Sequence, residues 1–520
     1  MNLFITKSAS AAVSDSHDPE RQLKRSLNAW DLSIMGVSVA VGAGIFSVGA
    51  QATSEYAGPS VIVSFILAAV VCGLAMMNYA EMASTIPVAG SAYTFSYVSM
   101  GELVAWIIGW DLILEMLMAA AVISKYWGIY LQQLFEFLGV NIPLTTQAGG
   151  WTITWAPAFI VGVFTVLLMI GTRLTNRVNS VFTILKVSIV IFVVIAGAFF
   201  VRGKNFHPFF PPAEPIHSST SVLQQSLFSF MSGADPTRYG VYGMLGAAAL
   251  VFFAFIGFDV VATAAEETKD PQKNLPRGIL GGLGIVTVLY IAVIVVVAGM
   301  VSYREMADVV AKSNGTVSPS LALAFKMVGA NWAGTVITLG IVVGLTSVIM
   351  VLLLGLTRVV FTMSRDGLLP RSFSKTSRRR TPARLQLVMG VLVAAIAALT
   401  DVGVLSEMIN IGTLSAFVLV SFAVPVLRRR APGLRRGFRV PFSPWLPLVS
   451  GLACIWLMLN LAVETWLRFV VWLVIGMIIY ATYSYRHSRV RLAAAGALPA
   501  VPATAQSDED EREDAPRPGI

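Results

Sequence analysis

About twelve stretches of roughly 20 apolar residues dominate the sequence, and each is long enough to cross the hydrocarbon core of a bilayer as a helix. They begin near Trp30, Pro59, Gly101, Ala156, Val178, Gly243, Gly278, Ala333, Leu385, Leu405, Trp445 and Trp466, and the ninth, ending near Leu399, is the shortest. Of the 520 residues, 56% are hydrophobic and only 12% are charged. A soluble domain carries roughly a quarter charged residues, so this chain cannot cover a water-facing surface. The pattern predicts an all-α polytopic membrane protein with one transmembrane domain over residues 27–490. Residues 1–26 read as an N-terminal tail. Residues 491–520, rich in Ala and Pro and then acidic from Asp508 to Asp514, read as a disordered C-terminal tail. The first ten residues are too polar for a cleavable signal, so the first span is expected to direct insertion.

The charges are distributed by topology. With the N-terminus inside, the inner segments hold Lys24 and Arg25, Arg173 and Arg177, then Lys269, Lys273 and Arg277. Two denser inner loops follow, with Arg371, Lys375, Arg378, Arg379, Arg380 and Arg384, then Arg428, Arg429, Arg430, Arg435, Arg436 and Arg439. The outer segments hold scattered cations such as Arg202, Lys204, Arg238 and Arg304. This bias places both termini in the cytoplasm and the chain in the inner (plasma) membrane. It accounts for the net charge of +9 through topology signals and anionic-lipid contacts, with no nucleic-acid partner. Cys72 and Cys454 each sit in an apolar run, and the four histidines show no ligand spacing. No metal site or cofactor is expected. The Asn314-Gly315-Thr316 segment fits a glycosylation sequon and is read as carrying no function. No protein partner is evident.

Two of the spans contain matched glycine interruptions. The first carries Val41-Gly42-Ala43-Gly44-Ile45-Phe46 and the sixth Phe253-Ala254-Phe255-Ile256-Gly257-Phe258-Asp259. They lie five spans apart, at corresponding positions of two five-helix halves, and an odd number of crossings makes the second half inverted. Unpaired N–H and C=O groups cost several kcal/mol each in hydrocarbon, so unwinding is tolerated only where the backbone lines a protein cavity. Paired interruptions of this kind point to a binding site at mid-membrane. A half-helix N-terminus offers donors and positive dipole to a carboxylate, and freed carbonyls accept from an ammonium. A zwitterion satisfies both. The competing reading is that the glycines only allow close helix packing.

Four ionisable residues stand out as deep inside spans or next to a break. Lys186 is about nine residues from the inner end of the fifth, roughly 13 Å deep, beyond the reach of full snorkelling. A lysine there costs roughly 2.5–3.5 kcal/mol to insert and is expected to bind and release a proton. Glu115, deep in the third span, is the expected partner or proton acceptor, with a structural hydrogen-bonding role as the alternative. Asp111 and Asp259 are weaker candidates, Asp259 as a cap for the second half of the broken helix.

Eight ordered segments carry a resemblance: GAGIF; AGPSVIVSFILA; YAEMASTIPVAGSAYTFSY; GELVAWIIGWDLILE; FFAFIGFD with EETKDPQKNLPRGI; TRVVFTMSRDGLLP; NIGTLSAFVLVS; and TWLRFVVWLVIG. Over roughly Leu27 to Val490 the chain resembles the amino acid–polyamine–organocation superfamily, and within it the cationic amino acid transporter family. The resemblance implies a five-plus-five inverted-repeat leucine-transporter fold with two further C-terminal helices. It also implies transport of an amino acid by alternating access. Carried over by motif, the substrate carboxylate meets the backbone near Gly42, Ala43 and Gly44. The ammonium meets carbonyls near Val41 and of Phe253, Ala254 and Ile256, and Phe253 gates or lines the side-chain pocket. Lys186 matches the lysine that fills the ion position in proton-coupled relatives, and Glu115 matches a third-helix glutamate. This favours proton over sodium coupling.

The eighth span, expected to line the pocket over Thr346 to Leu354, offers two hydroxyls followed by large apolar residues and no carboxylate. This favours a small or apolar neutral amino acid, such as alanine or a branched-chain residue. Arginine or lysine stays open if Glu115 or Asp111 faces the pocket. Symport and exchange are not separated by sequence. A non-transporting sensor is disfavoured by the low-complexity tail. An enzyme is disfavoured because no activated nucleophile, metal cluster or phosphate loop is present.

Overall fold

The computed structural model describes residues 4–8, 27–42, 44–88, 90–137, 139–140, 145–148, 151–170, 172–215, 222–233, 237–312, 319–375, 377, 381–400 and 402–495. Helix α1 spans Ala29–Ala40, and its entry is fixed by a capping box in which Asn28 Oδ1 accepts from Trp30 and Asp31 N–H while Asp31 accepts from Asn28 N–H. After a break, an outer arm of π- and α-helical turns runs from Gly44 to Ala57. There follow α2 (Val61–Thr85), the short α3 (Ser91–Ser99), α4 (Glu102–Phe137), α5 (Trp155–Ile170) and α6 (Thr172–Ala198). The second half begins with α7 (Gly240–Val251), broken from α8 (Phe258–Thr263), and continues with α9 (Pro271–Met300) and α10 (Asn331–Arg365). The chain closes with α11 (Ala383–Leu399), α12 (Val402–Arg430), α13 (Trp445–Leu459) and α14 (Val463–Ile479). Two minor hairpins, Thr145–Ala148 with Trp151–Thr154 and Glu214–Pro215 with Thr237–Arg238, are the only sheets among the described residues.

The apolar stretches of the sequence reappear as helices among the described residues, the first and the sixth split at their breaks and the short α3 added between the second and third. Eight segments are long and apolar enough to span a bilayer, one of them fusing the outer arm with α2, and four more apolar helices are shorter. The short ninth stretch is α11, of 17 residues. The all-α polytopic architecture and both helix interruptions are therefore present. Two layers position the site. Helices α1 and α2 pack on α9, while α4 packs on α10 and α12, and α6 bridges to α10.

At the face where Lys7 and Arg491 lie, ion pairs tie these layers together. Glu81, on α2, accepts from Arg428 Nε at 2.8 Å and from Val440 N–H at 2.6 Å, and Arg436 lies 3.6 Å from it. Glu102, fully buried at the start of α4, accepts from Tyr97 (3.0 Å), Tyr480 (2.9 Å), Ser488 and Arg491 (2.6 Å). Lys7 donates to Asp366 at 3.0 Å, and Tyr93 to the same carboxylate at 2.8 Å. Arg358 pairs with Glu267. Part of the basic charge assigned from sequence to lipid contact is thus internal scaffolding, because Arg428 and Arg436 are spent on one buried carboxylate. Lys24, Arg25, Arg378, Arg379, Arg380, the sequon and the acidic tail lie outside the described residues, as do the side chains of Arg173 and Arg177.

Candidate functional site

Helix α1 stops at Val41, whose N–H closes the last turn while its backbone leaves helical geometry (φ −71°, ψ 86°), and regular turns resume at Gly44. A helix end frees four carbonyls. Val41 N–H takes that of Val37 at 2.9 Å, Lys186 takes that of Ser38, and the Tyr290 hydroxyl takes that of Ala40. Farther on, Gly42 C=O receives a long bond (3.5 Å) from Phe46 N–H. Ala43, between them, lies outside the described residues.

The second interruption is a 3-10 turn over Phe252–Phe255, followed by extended Ile256 (φ −69°, ψ 144°) and Gly257 at φ 113°. That positive φ suits glycine, and a Cβ there would sit 2.2 Å from Val39. The two breaks touch. A Cβ on Gly44 would lie 2.3 Å from Ala254 Cα and 2.6 Å from its Cβ, so only a bare backbone fits between them. Tyr290, from α9, places its one hydroxyl proton within reach of a carbonyl from each break, Ala40 C=O and Ala254 C=O (2.9 Å), and can serve one at a time. Sequence reasoning missed Tyr290. Its signal was a lone hydroxyl in the apolar run Val288 to Val297, one helix after the second break.

Val41, Phe253, Ala254 and Ile256 are all buried at this junction with Gly42 and Gly44. On the far side of the first break, Ser47 Oγ and Tyr130 Oη are 2.6 Å apart, which joins the outer arm to α4. The α10 wall is apolar where it faces the break: Val348 Cγ2 is the nearest atom, at 3.4 Å, to a Cβ placed on Gly42. Both hydroxyls of this stretch are already engaged. Thr346 accepts from Trp127 Nε1 at 3.1 Å, and Ser347 accepts from Lys186 at 2.9 Å.

Lys186 is fully buried. Its ammonium donates to Ser38 C=O and Ser347 Oγ, so it bridges α1 and α10 from α6. Neither acceptor is charged. Glu115 does not meet it. Instead, Glu115 lies against α12, where Gly412 leaves room (3.4 Å from its would-be Cβ to Glu115 Cβ), with Thr413 and Asp259 close by. Asp111, one turn earlier, accepts from Ser415 Oγ. Asp259 starts α8, and its buried carboxylate faces the backbone amides of Gly257, Asp259 and Val260 at the start of that helix. The site residues therefore divide into a backbone junction, a lysine on one flank and carboxyls on the other.

Two broken helices whose bared backbones meet in the core of a polytopic bundle are the arrangement of the broken-helix class of membrane transporters. The amino acid permease profile matches residues 27–483, and the chain belongs to that family. It is 41% identical over 480 residues to a branched-chain amino acid permease of Bacillus subtilis (strain 168), covering 91% of this chain and 95% of that protein. It is 38% identical over 474 residues to a methylthioribose transporter of the same organism, covering 90% and 95%. A vacuolar cationic amino acid transporter 4 of Arabidopsis thaliana is 33% identical over 422 residues, covering 80% and 65%.

Proposed function

We propose that this protein imports a neutral amino acid with an apolar side chain, of the branched-chain type, across the bacterial plasma membrane by proton-coupled alternating access. It acts with both termini cytoplasmic and without catalysing a reaction. The observation that carries the reading is the contact of the two breaks at Gly44 and Ala254, which leaves amides and carbonyls of opposite polarity side by side. The carboxylate binds amides from Gly42 through Gly44, and the ammonium binds carbonyls near Val41, Phe253, Ala254 and Ile256. Val348 supplies an apolar wall, and the engagement of Thr346 and Ser347 elsewhere removes the hydroxyls a polar substrate would use. The similarity to a branched-chain permease points the same way.

Coupling falls to Lys186, with Glu115 as a second titrating group. A charged ammonium held by two neutral acceptors is costly in a dry interior. Opening of the inward path hydrates it and lets the proton leave, and the bond to Ser38 ties that event to α1. A second reading is favoured by the methylthioribose relative: a neutral solute with neither carboxylate nor ammonium. Uptake into proteoliposomes under an inward proton gradient separates these readings, with leucine, isoleucine, valine, alanine, arginine and methylthioribose as competitors. Gradient-driven accumulation of leucine-type substrates is expected. Saturable uptake of methylthioribose that leucine leaves untouched would overturn the assignment. Uptake that proceeds only against loaded internal amino acid would make the protein an exchanger.

A further inference from the structure

Helix α4 runs from Glu102, the partner of Arg491, to the opposite side of the molecule, and Tyr130 lies about 42 Å along it at 1.5 Å per residue. Near that end its side chains diverge. Trp127 Nε1 donates to Thr346 of α10 at 3.1 Å, and a Cβ on Gly128 would lie 3.3 Å from Pro157 of α5. Tyr130 instead crosses to the other layer. Its hydroxyl lies 2.6 Å from Ser47 Oγ and 3.4 Å from Phe46 C=O, both on the arm that follows the first break. Ser47 donating to Tyr130, and Tyr130 to Phe46 C=O, employs both hydroxyl protons. Ser320, ahead of the short helix Leu321–Met327, borders the same hydroxyl. Phe46, Ser47 and Tyr130 are at most 6% exposed, so they meet away from water.

The arm itself is fastened to α7. Tyr239, just before α7, donates its N–H to Tyr56 C=O at 2.7 Å and its hydroxyl to Ser54 C=O at 2.8 Å. A Cβ on Gly243 of α7 would lie 2.3 Å from Tyr56 O, so the two backbones touch. At the arm's other end, the contact of Gly44 with Ala254 joins it to the turn that ends α7. The outer halves of the two broken helices therefore form one body, fastened at both ends. The arm's remaining side-chain hydrogen bonds among the described residues stay within it: Gln51 to Glu55, Thr53 to Gly49 C=O, and Ser54 to Ala50 and Gln51 C=O. Two sets of bonds hold this body to the layer of α4 and α12. Tyr130 reaches the arm, and Asn410 Nδ2 of α12 donates to Ala249 C=O of α7 over a longer 3.3 Å.

We propose that Tyr130 is a positioning residue for transport: through Ser47 it latches the joined outer halves against α4 and sets how often the site opens to the face opposite Lys7 and Arg491. The proposal rests on the transporter reading and deepens it by naming what keeps that path shut. In the closed state the two hydroxyls satisfy each other in a dry seam, where an unpaired polar group is costly. On opening, water enters and satisfies both, so the latch is released without leaving an orphan. The net worth of such a bond corresponds to roughly two- to tenfold in the opening equilibrium. Both groups are neutral hydroxyls, so the latch acts apart from the proton held by Lys186.

The test is amide hydrogen–deuterium exchange of the full-length protein in detergent, paired with uptake into proteoliposomes. Tyr130→Phe and Ser47→Ala are each expected to speed exchange roughly two- to tenfold over residues 44–57 and Gly240–Val251. Ala29–Ala40 and Phe258–Thr263, on the other side of the breaks, should keep the wild-type rate. The double variant should exchange no faster than Tyr130→Phe, since both changes remove the same bond. In uptake, Tyr130→Phe should lower the external KM and the maximal rate together, because a site open more often binds more readily from that side and closes less readily. Should Tyr130→Phe not fold, Ser47→Ala alone must show the one-sided rise in exchange. Unchanged exchange, an equal rise on both sides of the breaks, or additive effects in the double variant would overturn the latch. Absence of saturable amino acid uptake by the wild type would instead overturn the transporter reading, and the exchange pattern would still decide the latch.

Discussion

The two flanks of the broken helices solve opposite electrostatic problems. On one, a single buried cation, Lys186, meets two neutral acceptors, Ser38 C=O and Ser347 Oγ. On the other, the buried acids Asp111 and Glu115 meet a serine, a threonine and a glycine, with no cation paired to them among the described residues. A buried group whose partners are all neutral carries its charge only against the full cost of its own desolvation, whichever its sign.

That contrast can be broken at graded points. Lys186→Ala has the largest expected effect. One coupled proton supports roughly tenfold accumulation per unit of pH gradient, and the variant should fall to no accumulation while still exchanging substrate. Gradient-driven uptake that persists undiminished would remove the lysine from coupling. Gly44→Ala comes next, because its methyl group meets the Ala254 backbone. Overpacking of that kind costs about 1–3 kcal/mol, so a lowered melting temperature and uptake below about a tenth of wild type are expected. Wild-type uptake would mean the breaks separate more easily than their contact implies. Tyr290→Phe removes the hydroxyl shared by Ala40 and Ala254. A loss of about 1 kcal/mol, or roughly fivefold weaker substrate binding, should appear in equilibrium titration without a change in the proton requirement. Ser347→Ala is the mildest. Lys186 keeps its bond to Ser38, so coupling should survive with a shift of a few-fold at most in the proton concentration for half-maximal uptake.

The fold was largely legible in the sequence because a bilayer leaves the chain so few options. Twelve apolar stretches must be helices, and glycines that interrupt two of them at matched positions mark bared backbone. The breaks fell where Gly42, Gly44 and Gly257 stand. Tyr290 escaped because a tyrosine in an apolar run carries no sign of what its hydroxyl touches. That depends on how α9 packs. The expected pairing of Lys186 with Glu115 fell short for the same reason. Depth along a helix can be counted from sequence, whereas the direction a side chain points depends on the rotation of its helix. α6 turns Lys186 towards α1 and α10, and α4 turns Glu115 towards α12. The internal use of Arg428 and Arg436 was equally hidden, since a positive loop looks the same whether it faces lipid or a buried Glu81.

The central claim is that backbone bared at the two breaks holds both charges of a zwitterion. The direct measurement is thermal stabilisation of the purified protein by leucine, leucine methyl ester and 4-methylpentanoate at matched concentrations, since a ligand bound to the native state raises the melting temperature by mass action. Stabilisation by leucine alone is expected, because the ester lacks the carboxylate and the acid lacks the ammonium. Equal stabilisation by all three would contradict the account.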